Sequence, residues 1–268
     1  MTPIGLFDSG VGGLSIWQEI VRQLPHESTI YVADQGHCPY GPRSAEEIRA
    51  LSAQIVQFLV SQECKLIVIA CNTASAAALK WLRTQFDVPI VGLEPAIKLA
   101  AHLTQTGHVG LLATAGTLKG ELFQATARQI ADQVQLHVQV GTGLVEQVEA
   151  GALATPQTAA LLQQHLAVLL AHPIDQIVLG CTHYPLLHSL MAELAGPHIH
   201  FIDSADAVAR QVQRILTQHR LLVTGEPHHA FYTTGSASYL EQLSPKLPLQ
   251  PTPMNWQFLA LPGDSLGE

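Results

Sequence analysis

Charge is scarce in this chain. Only 13% of its 268 residues are Asp, Glu, Lys or Arg, and acids outnumber bases 21 to 13. With no dense basic patch, a nucleic-acid footprint is not expected. With 47% hydrophobic residues, neither is a disordered chain. No stretch approaches the roughly 18 apolar residues that a membrane span needs. Met1-Thr2-Pro3-Ile4-Gly5 shows no basic region followed by an apolar one, so no secretory signal is expected. Cysteine is sparse as well: Cys38, Cys64, Cys71 and Cys181 match no zinc spacing and are too few for a stapled secreted domain. A reducing cytoplasm with free thiols is the natural setting. There is no GxGxxG fingerprint, no phosphate-loop lysine and no evident pyridoxal lysine, and the 14 histidines show no metal-cage spacing.

What is present is a regular alternation of short apolar runs and longer amphipathic ones, the mark of a doubly wound α/β protein. Strands are expected at 4–7, 29–33, 66–70, 89–93, 108–113, 134–140, 176–180, 199–202 and 230–234. Helices are expected at 12–24, 44–60, 73–86, 117–130, 156–170, 186–194 and 205–218, with shorter ones starting at Pro95 and Ser236. Residues 44–60 carry Ala45, Ile48, Leu51, Ile55, Phe58 and Leu59 on roughly one face. Two α/β lobes are expected, 1–93 plus 205–268 and 94–204. The Pro-rich end (Pro245, Pro248, Pro251, Pro253) reads as a tail packed along a surface, with about the last five residues frayed.

Two segments look like copies of one device. Leu66-Ile67-Val68-Ile69-Ala70-Cys71-Asn72-Thr73 and Ile177-Val178-Leu179-Gly180-Cys181-Thr182-His183 are each a buried strand ending on a cysteine with polar neighbours. Ligands bind at the carboxyl ends of strands in open α/β sheets. Either cysteine alone reads as a small core residue. As a pair across one cleft, they suit removing a proton from one side of a carbon and delivering one from the other. His183, two residues past Cys181, is able to move a proton or poise the thiol. A satisfied structural histidine is the other reading. Asp8-Ser9-Gly10-Val11-Gly12-Gly13 follows the first strand, and its glycines permit close backbone approach to an anion. A tight turn capped by Asp8 or Ser9 is the alternative. Asn72, Thr73 and Thr182 offer donors to a carboxylate, and Tyr40-Gly41 is placed to close the site from a loop. Cys64 reads as structural, and Cys38 as part of a turn-rich loop.

These residues carry a resemblance. Phe7-Asp8-Ser9-Gly10-Val11-Gly12-Gly13, Pro39-Tyr40-Gly41, Ala70-Cys71-Asn72-Thr73-Ala74-Ser75-Ala76, Gly110-Leu111-Leu112-Ala113-Thr114 with Thr117, and Gly180-Cys181-Thr182-His183-Tyr184-Pro185-Leu186 occur in the order of the glutamate racemase family. The chain resembles that family from about residue 3 to 240. The resemblance implies two pseudo-symmetric three-layer α/β/α lobes around the substrate and an isomerase that interconverts L- and D-glutamate without a cofactor or metal. It implies D-glutamate for peptidoglycan and cell-wall biogenesis. Cys71 would take the α-proton of D-glutamate and Cys181 that of L-glutamate, aided by Asp8 and His183 respectively. Ser9, Asn72, Thr73, Thr114, Thr117 and Thr182 would serve the substrate, with Pro39, Tyr40 and Gly41 at its side-chain end. The expected partner is the small substrate alone, with neither nucleic acid nor membrane, and a homodimer is compatible. At 141–151 the chain departs from the family's usual Cys-Pro. Glu149 fits the supporting glutamate by its distance to Gly151, and Glu146 competes. An aspartate racemase, a cysteine hydrolase and a non-catalytic glutamate-binding module are the alternatives.

Overall fold

The computed structural model describes residues 2–250 and 253–262. Among the described residues, ten strands form two sheets. β1 (Ile4–Asp8), β2 (Thr29–Ala33), β3 (Leu66–Ile69), β4 (Ile90–Gly92), β9 (His229–Thr233) and β10 (Trp256–Phe258) make the first, in the order β10-β9-β2-β1-β3-β4. β5 (His108–Ala113), β6 (Gln135–Val140), β7 (Gln176–Gly180) and β8 (His200–Ile202) make the second, in the order β6-β5-β7-β8. Every pairing is parallel. Parallel sheets bury both faces, which is why the central strands are continuous apolar runs: Ile4–Asp8, Leu66–Ile69 and Gln176–Gly180 are buried at every position.

The helices follow from local signals. Ser44 caps Ala45–Ser61 with a reciprocal capping box through Glu47, and Thr155 caps Pro156–Leu170, whose first residue is a proline. The helix expected at 117–130 is two helices, Ala115–Lys119 and Glu121–Ile130, because Gly120 takes extended backbone between them. The expected 186–194 helix begins as a tight turn at Tyr184–Leu187 and continues as His188–Ala195. Leu144–Glu149 forms a short helix that the apolar pattern did not announce.

The tail does more than lie on a surface. Residues 256–258 add β10 to the first sheet, and Trp256 is buried against Tyr31 and Phe231, with its indole N–H donating to Ser244. The residues expected to fray lie outside the described residues. A single apolar cluster runs from Ile4, Leu6 and Trp17 of the first sheet's surroundings to Leu144, Leu162, Leu179 and Cys181 of the second's. The two lobes therefore share a core beneath their cleft. Among the described residues no helix is long and apolar enough to cross a membrane.

Candidate active site

The two sheets point their carboxyl ends at one cavity of about 210 Å³, small beside the roughly 300–1,000 Å³ of sites for drug-sized ligands. Ser9, Pro39, Tyr40, Gly41, Cys71, Asn72, Thr73, Thr114, Cys181, Thr182 and His183 line it, all of them expected site residues. Three others lie one layer back: Asp8 under Ser9, Thr117 behind Thr114 and Glu149 behind His183.

Cys71 leaves β3 as the N-cap of the helix Asn72–Gln85, and its Sγ accepts the Ala74 N–H at 3.5 Å. Its thiol lies 3.8 Å from Ser9 Oγ, and that hydroxyl donates to Asp8 Oδ1 at 2.9 Å. Asp8 thus reaches Cys71 through Ser9. Its other oxygen accepts from Thr182 Oγ1 at 2.7 Å, across the cleft. Burial, and then the nearby Asp8 carboxylate, push the Cys71 thiol far above its ordinary value, against the pull of the helix N–H. Burial also raises Asp8, although His183, Thr182 and Ser9 oppose it. Each group thus loses its proton less readily than it would in water.

Cys181 leaves β7 and lies 3.8 Å from His183 Nδ1. The far side of the ring, Nε2, is 2.6 Å from Glu149 Oε1. That carboxylate also accepts the Val11 N–H at 2.7 Å and the Gln35 amide at 3.1 Å. Burial works against a charged imidazole here, but the bonds to Cys181, Cys38 and Glu149 outweigh it and lift His183 well above its usual value. Burial likewise pushes Glu149 up, and the His183 contact with the Val11 and Gln35 donors brings it below the ordinary carboxylate value. Both shifts run toward a charged pair, His183 toward imidazolium and Glu149 toward carboxylate. Glu146 is placed differently: it lines the cavity.

The glycine turn after β1 has a purpose the sequence reading put elsewhere. It does hold an anion, but that anion is Glu149 of the other lobe, bound by the Val11 N–H. A Cβ on Gly10 would lie 1.9 Å from Glu149 Oε1, and one on Gly12 would lie 2.3 Å from His183 Nδ1. Neither glycine has a positive φ, so the requirement is for the missing side chain alone.

The rim is equally specific. Tyr40 is buried and its hydroxyl is committed to Asp34, whose carboxylate also takes the Thr234 hydroxyl at 2.6 Å and His37 Nδ1 at 2.7 Å. The Thr73 and Thr114 hydroxyls meet across the cleft at 2.8 Å, and Thr114 continues to Thr117 at 2.9 Å. Asn72 Nδ2 is buried with no hydrogen-bond partner among the described residues. Sequence reasoning missed the wall formed by 140–145, including Gly141, Thr142 and Val145. A glycine-rich stretch straight after a strand was the available signal. It also missed Cys38, which sits against His183 and whose thiol burial pushes up to about 11.

The Asp/Glu/Hydantoin racemase family model matches residues 4–212. The chain belongs to this racemase family. It is 48% identical over 248 residues to a glutamate racemase of Ectopseudomonas mendocina, covering 91% of this chain and 94% of that one. It is 48% identical over 246 residues to the glutamate racemase of Pseudomonas aeruginosa PAO1, covering 91% and 93%. Among solved structures it superposes on glutamate racemase RacE1 of Bacillus anthracis with a TM-score of 0.88 at 35% identity, over 97% of this chain and 98% of that one. On Escherichia coli glutamate racemase, solved with L-glutamate and the activator UDP-MurNAc-ala, the TM-score is 0.86 at 33% identity, over 98% and 100%. The racemase fold of two α/β lobes accounts for the arrangement above: each lobe sends one strand-end cysteine into the shared cavity.

Proposed function

We propose that the chain is a glutamate racemase that moves the α-proton between two thiols, Cys71 and Cys181. The observation that carries this reading is the pair of strand-end cysteines, one from each sheet, lining a single small cavity with a proton-handling partner behind each. For L-glutamate, the Cys181 sulfur takes the Cα proton and the electron pair passes into the α-carboxylate. The Cys71 S–H then delivers its proton to the opposite face. D-glutamate runs the same steps in reverse. The protonated bias of Cys71 suits its role as acid in the L-to-D direction, and the Ser9–Asp8 path gives it an outlet when it must act as base.

The developing carboxylate charge needs donors in place before the proton moves. Asn72 Nδ2, with no partner among the described residues, supplies one, and the Thr73 and Thr114 hydroxyls supply more by exchanging their mutual bond for the carboxylate, while the Thr182 hydroxyl stays on Asp8. Residues 1–93 plus 205–268 act as the lobe that carries Cys71, and 94–204 as the one that carries Cys181. D-glutamate made in the cytoplasm would feed peptidoglycan assembly.

Circular dichroism of the dialysed, chelator-treated protein mixed separately with L-glutamate, D-glutamate and D-aspartate tests the reading. Both glutamate enantiomers should racemise. Cys71→Ser and Cys181→Ser should each lose at least about 100-fold, the usual worth of a positioned acid or base, while Cys64→Ser should not. Persistent optical rotation of L-glutamate with the wild-type protein would sink the proposal.

A further inference from the structure

A third cysteine reaches the back of the Cys181 machinery. The segment after β2 carries Cys38 to a place where its Sγ, a Glu149 carboxylate oxygen and a His183 ring nitrogen all lie within 4.8 Å of one another. The three residues come from distant parts of the chain and from both lobes. Proton transfer between Cys71 and Cys181 makes no use of Cys38, which does not line the cavity. Its neighbours are nonetheless His183, which lies against the Cys181 thiol, and Glu149, which holds the far side of that ring.

Thiolate, imidazole and carboxylate form a donor set suited to zinc, with three protein ligands and a fourth position for water. Zinc bonds of about 2.0–2.3 Å imply ligand atoms about 3.3–3.8 Å apart. Glu149 and His183 now stand closer than that, at 2.6 Å, and the cluster as a whole spans at most 4.8 Å. Shifts of about an ångström seat an ion. Cys38 and Glu149 each keep a small exposed surface.

We propose that Cys38, Glu149 and His183 form a site for a soft divalent cation, zinc foremost, whose occupation switches racemisation off. On binding, the Cys38 thiol and the His183 ring each release a proton to solvent, and the ion replaces the His183–Glu149 hydrogen bond. The His183 ring is then held by the metal and no longer exchanges protons with Cys181. The binding claim stands on the cluster alone. The inhibition rests on the two-thiol reading above.

The test uses the full, chelator-treated chain, titrated with zinc against a chromophoric chelator and separately with cobalt(II). One equivalent should bind, and cobalt should give a thiolate charge-transfer band in the wild type and in Cys71→Ser, absent in Cys38→Ser. Loss of an outer-shell partner alone costs about 10–100-fold in metal affinity. Cys38→Ser and Glu149→Gln should therefore each weaken zinc binding more than tenfold. Zinc should inhibit wild-type racemisation, EDTA should restore it, and Cys38→Ser should need more than ten times as much zinc. Far-ultraviolet circular dichroism checks the metal-free variants, with Cys38→Ala as the replacement if Cys38→Ser does not fold. Undiminished binding by Cys38→Ser, or loss of binding in Cys71→Ser, would place the ion elsewhere and overturn the site. Binding without inhibition would overturn the switch. A metal-free wild type that binds zinc as described but racemises nothing would uphold the site and reject the racemase reading.

Discussion

Gly12→Ala is the sharpest perturbation this site offers. A Cβ at position 12 would stand 2.3 Å from His183 Nδ1 and 2.7 Å from Cε1 and Cγ, whereas ordinary contact begins near 3.4 Å. The ring must retreat by about an ångström. It has little room, because Nε2 is held by Glu149 at 2.6 Å. The backbone itself is indifferent, since Gly12 has no positive φ. Overpacking of this kind costs about 1–3 kcal/mol of stability, which for a chain of this size is a fall of several degrees in Tm, at about 2–4 °C per kcal/mol. The catalytic loss should be larger in kind. Moving a catalytic group by about 1 Å costs on the order of 100-fold, and the contact at stake is the 3.8 Å approach of His183 to Cys181. Initial α-deuterium exchange in heavy water, read by NMR on each enantiomer, should fall about 100-fold for L-glutamate and less for D-glutamate. The protein should remain folded at 25 °C. Exchange from L-glutamate within about threefold of wild type would refute the reasoning, since the ring would then be either displaced without consequence or not displaced at all.

Other consequences follow from the same geometry. His183→Asn should slow exchange from L-glutamate selectively. Asp8→Asn should slow both directions, D-glutamate more, because Asp8 serves Cys71 through Ser9 yet also holds Thr182; equal losses for both enantiomers in both variants would reject this division. The His183–Glu149 pair should mark the pH dependence of stability. Glu149 is lowered from 4.5, so its contribution is present above 4.5 and fades as pH falls through its folded value. His183 is raised well above 6.5, so its contribution is complete below 6.5 and fades as pH rises through its folded value. The Tm gap between wild type and Glu149→Gln should therefore be widest between about pH 4.5 and 6.5, and a gap that widens steadily above pH 6.5 would contradict the pairing. Trp256→Ala should cost about 3–5 kcal/mol in denaturant unfolding, because the indole is buried in the first sheet's aromatic cluster; a change below about 1 kcal/mol would return the tail to a surface appendage.

The periodic apolar runs and their caps specified most of this molecule locally. Leu66–Ile69 and Gln176–Gly180 read as buried strands because parallel strands covered on both faces must be apolar at every position. The cysteines that follow them, and the hydroxyls and amide beside them, were legible because a strand end is a fixed place in such a sheet. Elements held by few local signals were not legible. The helix Leu144–Glu149 is too short to show a period, and β10 has only three residues, so its strand character comes from the β9 edge it pairs with. Who meets whom across the cleft was decided by tertiary structure alone. Nothing local to Gly10 and Gly12 states that Glu149 and His183 occupy the space their side chains would fill. Nothing local to Asp8 states that one oxygen serves Ser9 and the other Thr182. The same holds for Cys38, which by its own neighbours is a loop residue and by the fold is a neighbour of His183 and Glu149. Residue types and strand ends set what chemistry is available, since these are properties of short segments. Partnerships at 3 Å between residues more than a hundred positions apart depend on how two sheets dock, and a linear pattern carries no record of that.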